Sequence, residues 1–109
     1  LRKDTSNEIR LNLAPNNRLN LFVNVGGVNQ VYMDNSTFTL ENYNKIAVKY
    51  KLNDYSVFVN GTKIYTDTSA LVPADMNELK FNNLYGKVNA VQVYKEALTD
   101  AELAALTTI

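Results

Sequence analysis

The chain reads as an all-β protein, an antiparallel β-sandwich with one short C-terminal helix, and three features of the sequence predict it. Apolar and polar residues alternate with a period of two along most of its length. Turn-forming pairs, Gly26-Gly27 and Asn60-Gly61 foremost, fall between the alternating runs. One helix-capping pattern, Thr99 with Glu102, occurs near the C-terminus ahead of a short apolar stripe.

The elements follow in order. Ile9, Leu11 and Leu13 alternate with Arg10 and Asn12, and after Pro15-Asn16-Asn17 the pattern resumes at Leu19, Leu21, Val23 and Val25. This predicts a hairpin closed by a Pro-Asn turn. Gly26-Gly27 supplies the positive φ angles of a tight turn, so a third strand is expected over residues 28–33. Polar stretches at 34–37 and 41–44 read as turns flanking a short strand at 38–40. Ile46, Val48 and Tyr50 form the next alternating run, followed by a turn at Leu52-Asn53-Asp54.

Tyr55, Val57 and Val59 oppose Ser56 and Phe58, so bulk on both faces predicts a central strand. Asn60-Gly61 suits a type I′ turn, and residues 63–66 are expected to pair straight back. Residues 67–75 show no period and read as the longest loop, running over the surface. Leu79 and Phe81 mark one more short strand before Asn82-Asn83. In the final strand Val88 is out of parity with Val91 and Val93, and a β-bulge near Asn89-Ala90 would bring all three to the core. The helix then has Thr99 as N-cap, Asp100 in its first turn and Glu102 closing a capping box. Leu98 and Leu103 make a hydrophobic staple, and Leu103 with Leu106 forms a stripe for the sheet edge.

With 109 residues and 46% hydrophobic content, the chain is expected to make one domain over 1–109 with a modest core. Its start at Leu1 predicts a processed product or a fragment of something longer. Eleven basic residues balance eleven acidic ones and there is no His, so electrostatic capture of nucleic acid is not expected. No apolar run approaches the roughly 20 residues that span a bilayer, so no membrane insertion is expected. The absence of Cys removes disulfides and thiolate metal sites, and permits an extracellular setting without requiring it.

The reactive groups point away from catalysis. Without His there is no nucleophilic triad of the usual kind. Glycoside hydrolysis needs two carboxylates about 5–9 Å apart, and no acidic pair stands two residues apart in the expected strands; Asp75 and Glu78 are close in sequence but belong to a loop. No cofactor is expected, with calcium the one ion left open: Asp34 beside Asn35, or Asp54 beside Asn53, could supply oxygens. The same pairs also simply build turns, which turn propensity favours. For carbohydrate, aromatic faces stack on sugar C–H surfaces while amides and carboxylates bond hydroxyls. Tyr32 with Asp34 and Asn35, Tyr43, and Asn83 with Tyr85 offer both at expected loop edges, although seven Tyr is ordinary for a β-protein.

Residues 44–50 (NKIAVKY), 55–61 (YSVFVNG), 84–88 (LYGKV) through Val93-Tyr94, and 97–103 (ALTDAEL) carry a resemblance by their order and spacing. Together they resemble the C-terminal half of the concanavalin A-like, laminin G-like jelly-roll family, and the hairpin over 9–25 fits the strands that precede it. Complete members are longer, with additional N-terminal strands. The resemblance implies a non-catalytic recognition module of a bacterial surface or secreted protein or a phage fibre. Its partner would be a glycan or cell-surface receptor, and its location extracellular, at the cell surface or on a virion. Two other readings stand beside it: a structural oligomerising domain of a virion or surface fibre, trimeric if from a phage fibre, and an appendage that positions a separate enzyme.

Overall fold

Strands form where the alternation is sustained. The computed structural model describes residues 1–14, 18–35, 43–76, 78, 90–94 and 96–108. Its elements in chain order are β1 (Arg2–Asp4), β2 (Asn7–Ala14), β3 (Arg18–Val25), β4 (Val28–Asn35), β5 (Ile46–Lys51), β6 (Asp54–Val59), β7 (Thr62–Asp67) and α1 (Asp100–Leu106). Every strand pairing is antiparallel. The chain is therefore all-β with one short C-terminal helix, the class expected from its sequence. One sheet has the order β1-β2-β3-β4 and the other β5-β6-β7. Both are meanders, and the crossing connection of a jelly roll does not occur among the described strands. The chain divides into two compact units, 1–42 with 71–87 and 43–70 with 88–109, each holding one sheet.

In the first unit the register sets Ile9 opposite Val23, Leu11 opposite Leu21 and Leu13 opposite Leu19. On the other side of β3, Leu21 meets Met33 and Val23 meets Val31. Leu19, Leu21 and Val23 are 0% exposed, and Ile9, Val31 and Met33 are buried with them. Gly26 and Gly27, at φ 57° and 79°, close the β3–β4 hairpin as expected.

A bulge interrupts this hairpin where the register shifts at Val23/Asn24. The Asn29 amide fills the irregularity by donating to the Val31 carbonyl (3.2 Å) and to Asn24 Oδ1 (3.3 Å). Strand β1 has too little alternation to be foreseen. It pairs with β2 and exchanges backbone hydrogen bonds between Arg2 and Glu78, at 3.0 and 3.1 Å.

The second unit centres on β6. Its residues Tyr55, Ser56, Val57, Phe58 and Val59 are all buried, so the strand with bulk on both faces is indeed the middle one. Asn60 and Gly61, at φ 52° and 86°, form the turn into β7, and Asn53 at φ 56° helps turn β5 into β6. The segment after β7 is the irregular loop expected, exposed at Thr68, Ser69, Leu71, Ala74 and Asp75, but it does not run wholly over the surface: Ala70 is 2% exposed and Pro73 is buried. Small or cyclic apolar side chains enter a core without any periodic signal. The Ala70 carbonyl is satisfied by the Asn53 N–H at 2.8 Å.

The helix has the capping box its sequence predicts. Glu102 N–H donates to Thr99 Oγ1 (3.2 Å) and Thr99 N–H donates to Glu102 Oε1 (3.1 Å). Leu103 is buried, whereas Leu106 is 46% exposed, so the apolar stripe is narrower than expected. Its C-terminal end sits on the β6–β7 turn: Gly61 N–H donates to Thr107 Oγ1 (3.0 Å), and Lys45 Nζ donates to the Thr108 carbonyl (3.1 Å).

The end of the expected final strand differs. Residues 90–94 join no strand, and Val91 and Val93 are 47% and 54% exposed rather than core-facing. Parity arguments hold only where a neighbouring strand imposes a pleat, and no ladder reaches these residues. The expected strand at 38–40, the positions Leu79 and Phe81, the Pro15–Asn17 turn residues, and Val88 with Asn89 lie outside the described residues.

Gly61 provides a test of the docked helix. A Cβ at this position would lie 3.1 Å from Thr108 Oγ1 at φ +86°, whereas one at Gly26 (φ +57°) would meet nothing within 4 Å. Both Gly→Ala changes incur the left-handed backbone cost of about 1–2 kcal/mol. Urea unfolding is expected to show Gly61→Ala as the more destabilising of the two, and an equal or smaller loss would contradict the close packing described.

Candidate functional site

The alternation that buries the odd positions of β3 turns its even positions to the opposite face. Two cross-strand rows result: Arg10, Phe22 and Tyr32, and beside it Asn12, Asn20 and Asp34. The rows are about 7 Å apart along the strands, and neighbours within a row are about 5 Å apart. Phe22 and Tyr32 meet edge to face, with centroids 5.1 Å apart and planes at 65°. The Arg10 guanidinium lies 4.7 Å from the Phe22 centroid, within cation–π reach. Tyr32 is 56% exposed.

The charges on this face are matched. Arg18 forks onto Asp34, with Nε 3.2 Å from Oδ1 and Nη2 bonded to Oδ2. Arg10 Nη1 stands 3.8 Å from Glu8 Oε1, which also receives the Asn24 amide at 3.5 Å. Asn24 Oδ1 is occupied by Asn29. Asn12 and Asn20 differ: both are half-buried, they are directly opposite one another, and neither side-chain amide has a hydrogen-bond partner among the described residues. Among the described residues, the face thus offers an exposed aromatic ring on β4 and two uncommitted carboxamides in the next row on β2 and β3.

Of the residues singled out from sequence, Tyr32 and Asp34 come together on this face. Tyr32 is mid-strand in β4, not at a loop edge. Asn35, at the end of β4, pairs with Leu19 and so belongs to the opposite face. Tyr43 precedes β5 in the second unit and is 59% exposed. Asn83 and Tyr85 lie outside the described residues.

As for calcium, the Asp34 carboxylate is engaged by Arg18 and the Asp54 carboxylate lies 3.1 Å from Lys49 Nζ. Among the described residues no three Asp, Glu, His or Cys side chains gather. Sequence reasoning missed Arg10, Asn12, Asn20 and Phe22. The signal was present, because the residues between the core positions of a hairpin must share the other face.

A second polar cluster belongs to the second unit. Lys49 Nζ lies 3.1 Å from Asp54 and 2.8 Å from Asp100, while Lys63 Nζ lies 2.6 Å from Asp100. With Lys51, Ala97, Leu98 and Thr99, the residues Lys49, Asp54 and Asp100 line a hollow of about 400 Å³. Each carboxylate faces an ammonium group, which suits attachment better than proton transfer. Hydrogen bonding to Asp100 holds the Lys49 pKa above its ordinary value despite burial, and Lys49, then Lys63, hold Asp100 below its own. The cluster ties the first turn of α1 to β5 and β7.

No protein-family model matches the chain, and no curated protein matches it in sequence. In fold it is similar to the crystal structure of an S-layer domain-containing protein from Clostridium thermocellum. The TM-score is 0.52 and the identity 13%, with 97% of this chain and 65% of that one covered. The chain thus spans about two thirds of its structural neighbour.

The tether has a definite pH dependence. A carboxylate whose folded pKa is depressed contributes fully above its unfolded value, an ordinary 3.8, and loses that contribution as pH falls through the folded value. The raised pKa of Lys49 acts in the other direction: its contribution is full below 10.5 and is lost as pH rises through the folded value. The tether's own contribution to the thermal midpoint, followed by circular dichroism, is therefore expected to form a plateau between these limits. Asp100→Asn should lower that plateau and reduce the fall on the acid side. Identical acid limbs in the two proteins would dismiss the tether.

Proposed function

We propose that this chain is a non-catalytic, cell-surface or secreted module that binds carbohydrate through the outer face of β2, β3 and β4. The observation that carries this reading is the exposed Tyr32 ring, supported by Phe22, with the amides of Asn12 and Asn20, which have no partner among the described residues, in the next row of the same face. An aromatic ring offers an apolar platform to a sugar's C–H face, and carboxamides offer donors and acceptors to its hydroxyls. The pairing of Asp34 with Arg18 and of Asp54 and Asp100 with Lys49 favours binding over chemistry. The likeness in fold to an S-layer domain-containing protein favours a surface setting, as does the resemblance to laminin G-like modules. Glycan-array binding followed by calorimetry on the hits tests the reading. Tyr32→Ala is expected to weaken binding by about tenfold, the size of one stacking contact, while circular dichroism stays unchanged. Equal binding by wild type and variant would remove this face from consideration.

A second reading, an assembly role, is favoured by the exposed apolar residues Val91, Val93 and Tyr94 in a segment without strand partners. It predicts concentration-dependent association in sedimentation velocity that Val91→Ser with Val93→Ser diminishes. A monomer at all concentrations rules it out.

A further inference from the structure

We infer that the ligand of the β2–β4 face is an uncharged polysaccharide, with neighbouring hydroxyls of one sugar held between Asn12 and Asn20. This rests on the carbohydrate reading above and adds the class of carbohydrate. Among the described residues, the charged side chains that β2, β3 and β4 turn to this face are matched within it, Arg18 with Asp34 and Arg10 with Glu8, and Arg2 of β1 is matched by Glu78. An acidic polymer approaching any of these arginines meets the carboxylate that neutralises it, and a basic polymer meets the converse. Neither gains the electrostatic attraction that an unmatched patch would supply.

The uncommitted groups are neutral. Asn12 and Asn20 are direct cross-strand partners, so their Cβ atoms stand about 5 Å apart. Each presents one carbonyl acceptor and two N–H donors. Hydroxyl groups both donate and accept, and two on adjacent ring carbons match such a pair without any charge. Tyr32 stands in the next row, about 7 Å along the strands and on β4, one strand over from Asn20 and two from Asn12, so a neighbouring sugar of the same polymer reaches it.

The face of a β-sheet suits a polymer better than a single small molecule. Pockets that hold single small molecules enclose most of the ligand's surface. The face of a sheet covers only one side of a sugar, so each ring binds weakly and useful affinity has to accumulate over several rings.

The test uses the whole chain in affinity electrophoresis and calorimetry. The uncharged probes are a soluble β-glucan, amylose and a mannan; the acidic probes are polygalacturonate and hyaluronate. Each is run at low and at high sodium chloride. The expected result is retention by at least one uncharged polymer, with a dissociation constant that changes by less than about twofold across the salt range. Asn12→Ala and Asn20→Ala should each weaken that binding by about tenfold, the worth of one or two hydrogen bonds.

Binding confined to the acidic polymers and falling steeply with salt overturns the uncharged class while leaving the carbohydrate reading in place. Retention by an uncharged polymer that both Asn variants preserve overturns the paired-amide assignment. Retention by no polymer of either class overturns this inference together with the reading beneath it.

Discussion

Leu19, Leu21 and Val23 are wholly removed from water, and at roughly 1.5–3 kcal/mol each their burial outweighs any single polar contact in the sheet. A slip of one residue in the pairing of β3 would turn all three to the outside. The register of β2 and β4 against β3 is held by that penalty, and the positions of the polar side chains follow from it. Asn12 faces Asn20, and Phe22 lies between Arg10 and Tyr32, because Leu11, Leu21 and Met33 share the other side. The face that carries Tyr32 is thus positioned by residues on the opposite side of the sheet.

The second unit uses different means to place its helix. A seven-residue helix does not hold itself in water. Its capping box satisfies the N-terminal end and Leu103 gives it a single buried anchor. The remaining orientation comes from polar ties at both ends, Asp100 to Lys49 and Lys63, and Thr107 to the Gly61 N–H. The Asn60-Gly61 turn therefore does two things: it reverses the chain between β6 and β7, and its backbone receives the helix terminus.

What could be read from the sequence divides along physical lines. Local rules worked where one short-range constraint dominates: the Gly26-Gly27 and Asn60-Gly61 turns, the Thr99–Glu102 cap, and the central β6 with bulk on both faces. They failed where non-local pairing decides. Strand β1 forms because β2 is beside it, and Val91 and Val93 lie exposed where no described strand pairs with them. The site was half visible: Tyr32 and Asp34 were chosen, but as loop-edge residues, which drew in Asn35 from the opposite face and Tyr43 from the other unit. The hairpin register that locates Asn12, Asn20 and Phe22 was implicit in the same alternation that identified the core. The laminin G-like resemblance drew part of its support from residues 84–88, which lie outside the described residues.

Alternation along β3 also separates two kinds of evolutionary freedom. Changes at positions 19, 21 and 23 threaten folding, whereas positions 20 and 22 and their cross-strand partners 12 and 32 can be exchanged at little cost to the core. A lineage could diversify the chemistry of this face by drifting through the even-numbered positions alone, and the scaffold would remain the same beneath each new surface.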